Sequence, residues 1–309
     1  MILTVTPNTA IDKVLFVDHF AFGETVRAAG MADGMGGKGA VASWVLGQLG
    51  TPSLATGFAA GETGRRMEEV LRASGVRTDF LWVGGETRIN YVLARLADGV
   101  QGTVTVAGLQ VTPEDSHKLT EHVFSLLEGA DFLLCGGSLV QGMPLDWFAP
   151  LIRQAKERGV PTLLDTSEPC LSANLAALPE IIKPNAAEAT ALLGRSVHTV
   201  NEAGRAVREL AARGIATPII TLGERGAVAG TSEGIFYVPP LPVRVINTAG
   251  AGDGFNAGLI QARLRGASWM EALRWAGAVA TAVLLTPGTG ECRLEDAERL
   301  YPQVRVELL

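Results

Sequence analysis

Short apolar runs alternate with longer segments of helical spacing along most of the chain. Between the runs, apolar residues recur every three or four positions, as at Met67, Val70 and Leu71. This alternation predicts parallel strands with helices on both faces, because a strand that is covered twice is apolar throughout. The predicted strands are Ile2–Thr6, Leu54–Phe58, Phe132–Cys135, Thr162–Asp165, Ile181–Lys183 and Ile219–Leu222.

Two regions, Val14–Phe20 and Thr87–Val106, alternate apolar and polar residues with no helical segment inside them. Asp98-Gly99 divides the second region, and Asp-Gly between alternating runs is typical of a hairpin turn. We expect a small second sheet, with strands near residues 12–30 and 87–107. Because so small a sheet needs cover for its apolar face, it should act as a lid, as a dimer contact, or as both.

The composition favours a single large α/β domain over residues 1–309. The formal net charge of −6 argues against a general nucleic-acid binder. Three cysteines without a CxxC pair favour buried, reduced thiols rather than a disulfide scaffold. The first residues do not look like a signal peptide, and the least polar stretch, Ala276–Leu285, is too short to span a bilayer. We therefore predict a cytoplasmic protein without a membrane partner and interpret Ala276–Leu285 as a buried helix.

The most informative motif is Gly250-Ala251-Gly252-Asp253, which is followed by helical spacing of apolar residues. A glycine-rich turn at a helix N-terminus exposes unpaired N–H groups at the positive end of the helix dipole, where an anion is stabilised. Asp253 falls in the first helical turn, where it could accept a proton from a hydroxyl group. The alternative is that Asp253 only caps the helix.

Two further motifs carry cations. Gly36-Gly37-Lys38-Gly39 precedes an apolar helical run and could bind a phosphate or a sugar hydroxyl, or it could be a turn with a solvated lysine. In Thr87-Arg88-Ile89-Asn90, Arg88 and Asn90 should point to one face of a strand. That pair could hold a phosphate and a hydroxyl, because guanidinium suits bidentate phosphate recognition, or it could be a polar surface strand.

Strand ends supply the remaining candidates. Asn185 and Glu188 follow a strand end, where they could hold Mg²⁺ through its waters or form a helix capping box. The two interpretations are compatible. Thr221-Leu222-Gly223-Glu224-Arg225-Gly226 could contact nucleotide phosphates. Asp12, just past the first strand, could accept hydrogen bonds from sugar hydroxyls or could be a turn aspartate.

In this order, the motifs resemble the ribokinase-like PfkB family of carbohydrate kinases, in the branch of 1-phosphofructokinase and tagatose-6-phosphate kinase. The resemblance implies a three-layer α/β/α core with a β-sheet lid that pairs in a homodimer, and it implies ATP and Mg²⁺. It makes Asp253 the catalytic base and Gly250, Ala251 and Gly252 the anion hole. It assigns the sugar phosphate to Asp12, Gly37, Lys38, Arg88 and Asn90, and the nucleotide and metal to Lys183, Asn185, Glu188, Thr221, Gly223, Gly226 and Thr248.

The resemblance leaves the acceptor open. Val41 stands where the family usually has an asparagine that binds sugar. Two cations at one site would otherwise lack an anionic partner, so Lys38 and Arg88 favour a phosphorylated acceptor. Fructose 1-phosphate is the first candidate, tagatose 6-phosphate the second and an unphosphorylated sugar or nucleoside the third. A non-catalytic sugar- or nucleotide-binding regulator would not need Asp253. An NAD-dependent dehydrogenase is disfavoured, because Phe255 stands where the third glycine of GxGxxG would follow Gly250-Ala251-Gly252.

Overall fold

The computed structural model describes residues 1–95, 97 and 100–309. Its strands are β1 Ile2–Asn8, β2 Ala10–Val17, β3 Gly30–Gly36, β4 Ser53–Ala59, β5 Arg77–Thr78, β6 Leu81–Trp82, β7 Arg88–Arg95, β8 Gln101–Val104, β9 Phe132–Gly136, β10 Thr162–Asp165, β11 Ile181–Ile182, β12 Thr217–Thr221, β13 Ala227–Thr231, β14 Gly234–Val238 and β15 Glu307–Leu308. Its helices are α1 Lys38–Gln48, α2 Gly61–Ala73, α3 Pro113–Leu126, α4 Phe148–Glu157, α5 Cys170–Asn174, α6 Ala186–Leu193, α7 Val200–Ala212, α8 Ala251–Leu264, α9 Trp269–Leu284 and α10 Leu294–Leu300.

The large sheet has the strand order β15-β14-β13-β12-β11-β10-β9-β1-β4-β5, with β6 also paired to β4. Pairing is parallel from β12 to β5, whereas β13, β14 and β15 add antiparallel strands at one edge. All six runs predicted from the sequence lie in this sheet. The carboxyl ends of its parallel strands therefore meet at one edge, where ligands of open α/β sheets bind.

Helices cover both faces of the large sheet, because alternate strand residues are apolar on each side. Leu3 and Leu133 point into a core with α3, α4 and α7, whereas Ile2 and Leu134 point into a core with α1, α8 and α9. The predicted three-layer α/β/α architecture is confirmed. The apolar stretch Ala276–Leu285 falls in and just after α9, which packs in the second core. Along the part of the chain that the structure describes, no helix is long and apolar enough to cross a membrane.

A second sheet, the lid, has the strand order β3-β2-β7-β8. The predicted strand bounds were partly wrong: the first strand is Ala10–Val17 rather than Val14–Phe20, and its partner is Gly30–Gly36, beyond the expected 12–30. Glycines weaken the strand pattern of β3, and one of them has a packing reason. A β-carbon on Gly34 would lie 2.3 Å from the backbone nitrogen of Thr289. The predicted Asp98-Gly99 turn lies outside the described residues.

The lid is attached directly to the carboxyl edge of the large sheet. β1 ends at Asn8 and β2 begins at Ala10, so the chain passes from one sheet into the other through Thr9. On the inner face of the lid, Val14, Val92 and Ala94 form a small apolar cluster. A cleft is therefore bounded by the lid on one side and by the strand ends and helix N-termini of the core on the other.

Candidate active site

The turn before α8 exposes backbone amides at a helix N-terminus. Gly250 has φ of 85° and is the N-cap of the helix, and a β-carbon there would lie 2.4 Å from the backbone nitrogen of Gly290. Only glycine combines this φ with so close an approach. Gly254 N–H donates to Gly250 at 2.8 Å and starts the helix ladder. Within the described part of the chain, the amides of Gly252 and Asp253 have no acceptor, so they are available to an anion.

The carboxylate of Asp253 lies in the first turn of α8 and is partly exposed. Burial raises its pKa to about 7, and the negative charge of Asp165 acts in the same direction. Lys38 and Lys183 oppose the shift. Among the described residues, Asp253 has no hydrogen-bond or ion-pair partner. A carboxylate that is neither locked in an ion pair nor turned fully into water, with a pKa near neutrality, suits a general base.

Asp165, at the end of β10, is the centre of an ion-pair cluster. It is fully buried and accepts from Lys38 Nζ, from Lys183 Nζ at 2.9 Å and from Asn256 Nδ2 at 2.7 Å. Although burial acts against it, the two lysines hold the pKa of Asp165 below its usual range. Neither Asp165 nor Asn256 was among the site residues predicted from the sequence. The position of Asp165 at the carboxyl end of a buried strand was the signal for a site residue.

Lys38 and Lys183 lie beside the predicted base rather than in separate sites. Lys38 Nζ pairs with Asp165 and with Glu188 Oε1 at 3.3 Å, and these carboxylates raise the pKa of Lys38 despite its burial. Lys183 is buried, and a β-carbon on Gly252 would lie 3.3 Å from its Nζ. The argument that Lys38 lacks an anionic partner was therefore wrong. Its charge is balanced within the cluster.

Gly37 positions Lys38 at the start of α1. It is the N-cap of the helix with φ of 86°, and a β-carbon there would lie 2.7 Å from Thr6 Cγ2. This close approach to β1 brings the first turn of α1 to the carboxyl edge of the sheet. Glycine at this position is therefore explained by geometry, whereas a direct contact of Gly37 with substrate stays a prediction.

Asp12, Arg88 and Asn90 lie together on the lid side of the cleft. Asn90 Nδ2 donates to Asp12 Oδ1 at 2.9 Å across the β2–β7 pair, and Arg88 lowers the pKa of the same carboxyl electrostatically. Burial is the larger effect and raises the pKa of Asp12 to about 6. The prediction that residues 88 and 90 share a face is confirmed. The negative charge of Asp12 also raises the pKa of Asp253, so the two carboxyl groups lie within electrostatic range of each other.

Arg88 is incompletely partnered. Its Nη1 donates to the Val106 carbonyl at 3.2 Å and its Nη2 to the Asn8 carbonyl at 3.3 Å. Its Nε is buried and has no acceptor in the described part of the chain. Burial lowers the pKa of the guanidinium, because removing its charge from water is unfavourable. A bound anion would offset this desolvation through charged hydrogen bonds.

The predicted nucleotide and metal residues follow β11 and β12. Asn185 and Glu188 form a capping box at the start of α6, with hydrogen bonds of 2.8 and 2.9 Å between side chains and amides. The backbone of Thr221 forms an isolated parallel β-bridge with that of Asn185. In the turn that follows, Gly223 has φ of 62° and Gly226 has φ of 80°. The capping interpretation is confirmed, while the nucleotide and metal roles stay predictions.

Thr248, predicted to lie in the nucleotide region, is engaged by the lid. Its hydroxyl and its backbone N–H both donate to Gln101 Oε1. Sequence reasoning gave Gln101 no role, because nothing in the local pattern distinguishes a glutamine that begins an exposed strand. Its partner lies 147 positions along the chain.

Comparisons with known proteins all point to one family. The sequence profile described as pfkB family carbohydrate kinase matches residues 3–297. Tagatose-6-phosphate kinase from Staphylococcus epidermidis is 29% identical over 99% of both chains. Phosphofructokinase-2 from Escherichia coli with substrates and products superposes with a TM-score of 0.90 at 27% identity over 98% of both chains. A possible 1-phosphofructokinase from Thermotoga maritima gives a TM-score of 0.89 at 26% identity, over 100% of this chain and 99% of that one.

Proposed function

Because this chain belongs to the pfkB family of carbohydrate kinases, we propose that it transfers the γ-phosphoryl group of ATP to a primary hydroxyl of a hexose monophosphate. The observation that carries the proposal is Asp253, which has a raised pKa and, among the described residues, no partner, and which lies beside amides of a helix N-terminus that have no acceptor there. Binding alone requires no such group. This disfavours the alternative of a sugar- or nucleotide-binding regulator.

In the proposed reaction, Asp253 takes the proton of the acceptor hydroxyl while the hydroxyl oxygen bonds to the γ-phosphorus. The bond between the γ-phosphorus and the bridging oxygen breaks, and ADP leaves. Such transfers depend mainly on positioning and on stabilising the charge of the phosphoryl oxygens. The amides of Gly252 and Asp253 are directed to that charge, with the Lys183 ammonium beside them. Gly250 and Ala251 shape the turn that presents these donors.

Mg²⁺ would neutralise triphosphate charge near Asn185 and Glu188. The side-chain oxygens of both residues already have hydrogen-bond partners, and no group of three or more ligating side chains occurs in the described ranges. This donor set fits an ion that keeps most of its waters, which is the habit of Mg²⁺. We propose that the ion is held mainly by nucleotide and water, in contact with these residues through water. Thr221, Gly223 and Gly226 would line the nucleotide side.

Arg88 supports a phosphorylated acceptor. Its guanidinium is partly buried and its Nε lacks an acceptor among the residues that the structure describes, while Asp12 and Asn90 beside it suit sugar hydroxyls. Fructose 1-phosphate is our first candidate acceptor. Tagatose 6-phosphate is the second, because curated relatives at 29% identity carry that kinase name. Lys38 could still contact the substrate, but its charge is already balanced by carboxylates. The Arg88 guanidinium is the group for which a substrate phosphate would supply the missing acceptor.

A coupled assay of ADP formation tests the proposal. Fructose 1-phosphate, fructose 6-phosphate, tagatose 6-phosphate, ribose and fructose would be compared at equal concentration with ATP and Mg²⁺. We expect one hexose monophosphate to exceed both unphosphorylated sugars in kcat/KM by at least about tenfold, the scale of one charged hydrogen bond. Sugar binding without turnover would favour the regulator. Preferred turnover of ribose or fructose would reject the phosphorylated acceptor.

We also propose a homodimer through the outer face of the lid. Met31, Tyr91 and Val104 are exposed there, and Tyr91 pairs directly with Val104 across the β7–β8 ladder. An apolar outer face on a small sheet needs cover. A structure of phosphofructokinase-2 from Escherichia coli is described as a tetrameric form. Light scattering should give a dimer that Val104→Asp dissociates, and a wild-type monomer would reject the interface.

A cytoplasmic location remains part of the proposal. The three cysteines are buried and unpaired, as is usual in a reducing compartment. Fractionation of the native protein with a cytoplasmic marker is the expected result, and recovery in another compartment would contradict it.

A further inference from the structure

Gln101 connects the lid to the turn that leads into α8. It is the first residue of β8, and its side-chain amide leaves the lid to meet Asn247 and Thr248. Gln101 Nε2 donates to Asn247 Oδ1 at 2.9 Å, and Gln101 Oε1 accepts from the Thr248 N–H at 3.1 Å and from the Thr248 hydroxyl at 2.5 Å. One side chain thus satisfies an acceptor and two donors of the turn.

The orientation of this amide is determined by its partners. Asn247 is fully buried, and its Nδ2 donates to the Pro287 carbonyl at 2.9 Å. Its Oδ1 also accepts from the Ala249 N–H at 2.9 Å. Asn247 therefore cannot exchange its oxygen and nitrogen without losing two hydrogen bonds. The donor end of Gln101 must face Asn247, and the acceptor end must face Thr248.

A second, apolar contact joins the same two parts. Ala249 packs against the inner cluster of the lid, formed by Val14, Val92 and Ala94. The carbonyl of Ala249 also accepts from the Gly290 N–H at 3.3 Å. The residue directly before Gly250 is therefore held between the lid and a core loop. This geometry exists only while the lid is against the core.

We propose that Gln101 is a positioning residue that couples lid closure to alignment of the Gly252 and Asp253 amides; this rests on the proposed kinase function. Thr248 and Ala249 immediately precede Gly250, so restraint of the first two restrains the turn. With the lid closed, Gln101 and the apolar cluster hold the turn in the conformation described above. When the lid opens, that restraint is lost, and the amides are misaligned while water has access. Because the amides are aligned only when the closed lid excludes water, transfer of the phosphoryl group to water is reduced.

Steady-state kinetics of Gln101→Met test the positioning role. The substitution keeps the length of the side chain and removes its hydrogen bonds. Thr103→Val, on the same strand and exposed, is the matched isosteric control. We expect kcat for phosphorylation of the accepted sugar to fall about tenfold in Gln101→Met, since small misplacements of reacting groups are costly. The KM for ATP should change less than about twofold, and ATP hydrolysis per sugar phosphorylated should rise. Thr103→Val should match the wild type in all three.

A double-mutant cycle with Thr248→Val shows whether Gln101 acts through the turn. If it does, Gln101→Met should lower kcat less in the Thr248→Val background than in the wild type, because part of the contact is already gone. Full additivity of the two effects would overturn the proposed route through Thr248.

Amide hydrogen exchange separates this inference from the proposed function. In the ligand-free protein, peptides covering residues 247–254 should exchange faster in Gln101→Met than in the wild type or Thr103→Val, with the large sheet unchanged. This result is measurable even if no sugar is phosphorylated, in which case only the proposed function fails. Unchanged exchange overturns the coupling. Faster exchange with unchanged kcat overturns the positioning role.

Discussion

Asp253 and Asp12 are two carboxylates of one cleft whose surroundings differ. Burial raises the pKa of both, to about 7 and about 6. Asp12 receives a hydrogen bond from Asn90, whereas Asp253 has no partner within the described residues. A carboxylate already bound by an amide is oriented for accepting hydrogen bonds from a ligand. One without a partner is available to take a proton. We therefore propose that Asp12 on the lid side binds hydroxyl groups and that Asp253 on the α8 side takes the proton.

The largest expected effect is that of Asp253→Asn. The amide keeps the size of the side chain but cannot accept a proton, so kcat should fall by at least about a hundredfold, the lower end for a positioned base. The KM values for ATP and sugar should change little, because the group acts in the transition state. Steady-state kinetics measure this. A variant with near-normal turnover would remove the distinction between the two carboxylates.

Arg88→Ala should raise the KM for the hexose phosphate by about tenfold to a hundredfold, as expected for loss of a charged hydrogen bond in a desolvated site. The KM for ATP should stay within about twofold. Arg88→Lys keeps the charge and loses the planar guanidinium. Its KM for the hexose phosphate should therefore lie between those of the wild type and Arg88→Ala. An equal rise in KM for ATP would place Arg88 on the nucleotide side instead.

Asp12→Asn should raise the KM for the sugar by about tenfold, because a carboxylate acceptor is replaced by a neutral amide. Its kcat should fall far less than that of Asp253→Asn, since no proton needs to move to Asp12. Parallel kinetics of the two variants compare the carboxylates directly. A larger loss of kcat in Asp12→Asn would exchange their assigned roles.

The smallest effect concerns stability. Because the folded-state pKa of Asp253 is about 7 and its usual value is 3.8, the folded protein holds this proton more tightly than the unfolded chain. The wild type therefore loses stability as pH rises from about 4 to about 7, because the unfolded chain releases this proton at a lower pH than the folded protein does. At pH 8, Asp253→Asn should melt about 2 to 4 °C higher than the wild type, on the scale of about 1 kcal/mol. The difference should shrink towards pH 5 in thermal scans, and a constant or reversed difference would contradict the raised pKa.

Local features of the site could be predicted because their chemistry lies within a few residues. The capping box of Asn185 and Glu188 spans three positions, and the glycine turn before Asp253 is continuous with its helix. Both appeared where the sequence indicated. The strand β3 was missed, because its glycines lack the alternation that identifies a strand. It forms through its ladder with β2 and its close approach to Thr289.

By itself, the sequence determined the alternation of strands and helices, the separate lid and the position of Asp253 at a helix N-terminus, since periodicity and short motifs encode them. Only the tertiary structure decided which charges meet. Lys38 pairs with Asp165 across 127 positions, and Gln101 reaches Asn247 across 146. Such contacts depend on how distant elements pack, which no local pattern records. That packing also buries Asp253 and leaves it without a partner among the described residues, and this burial raises the pKa of the predicted base.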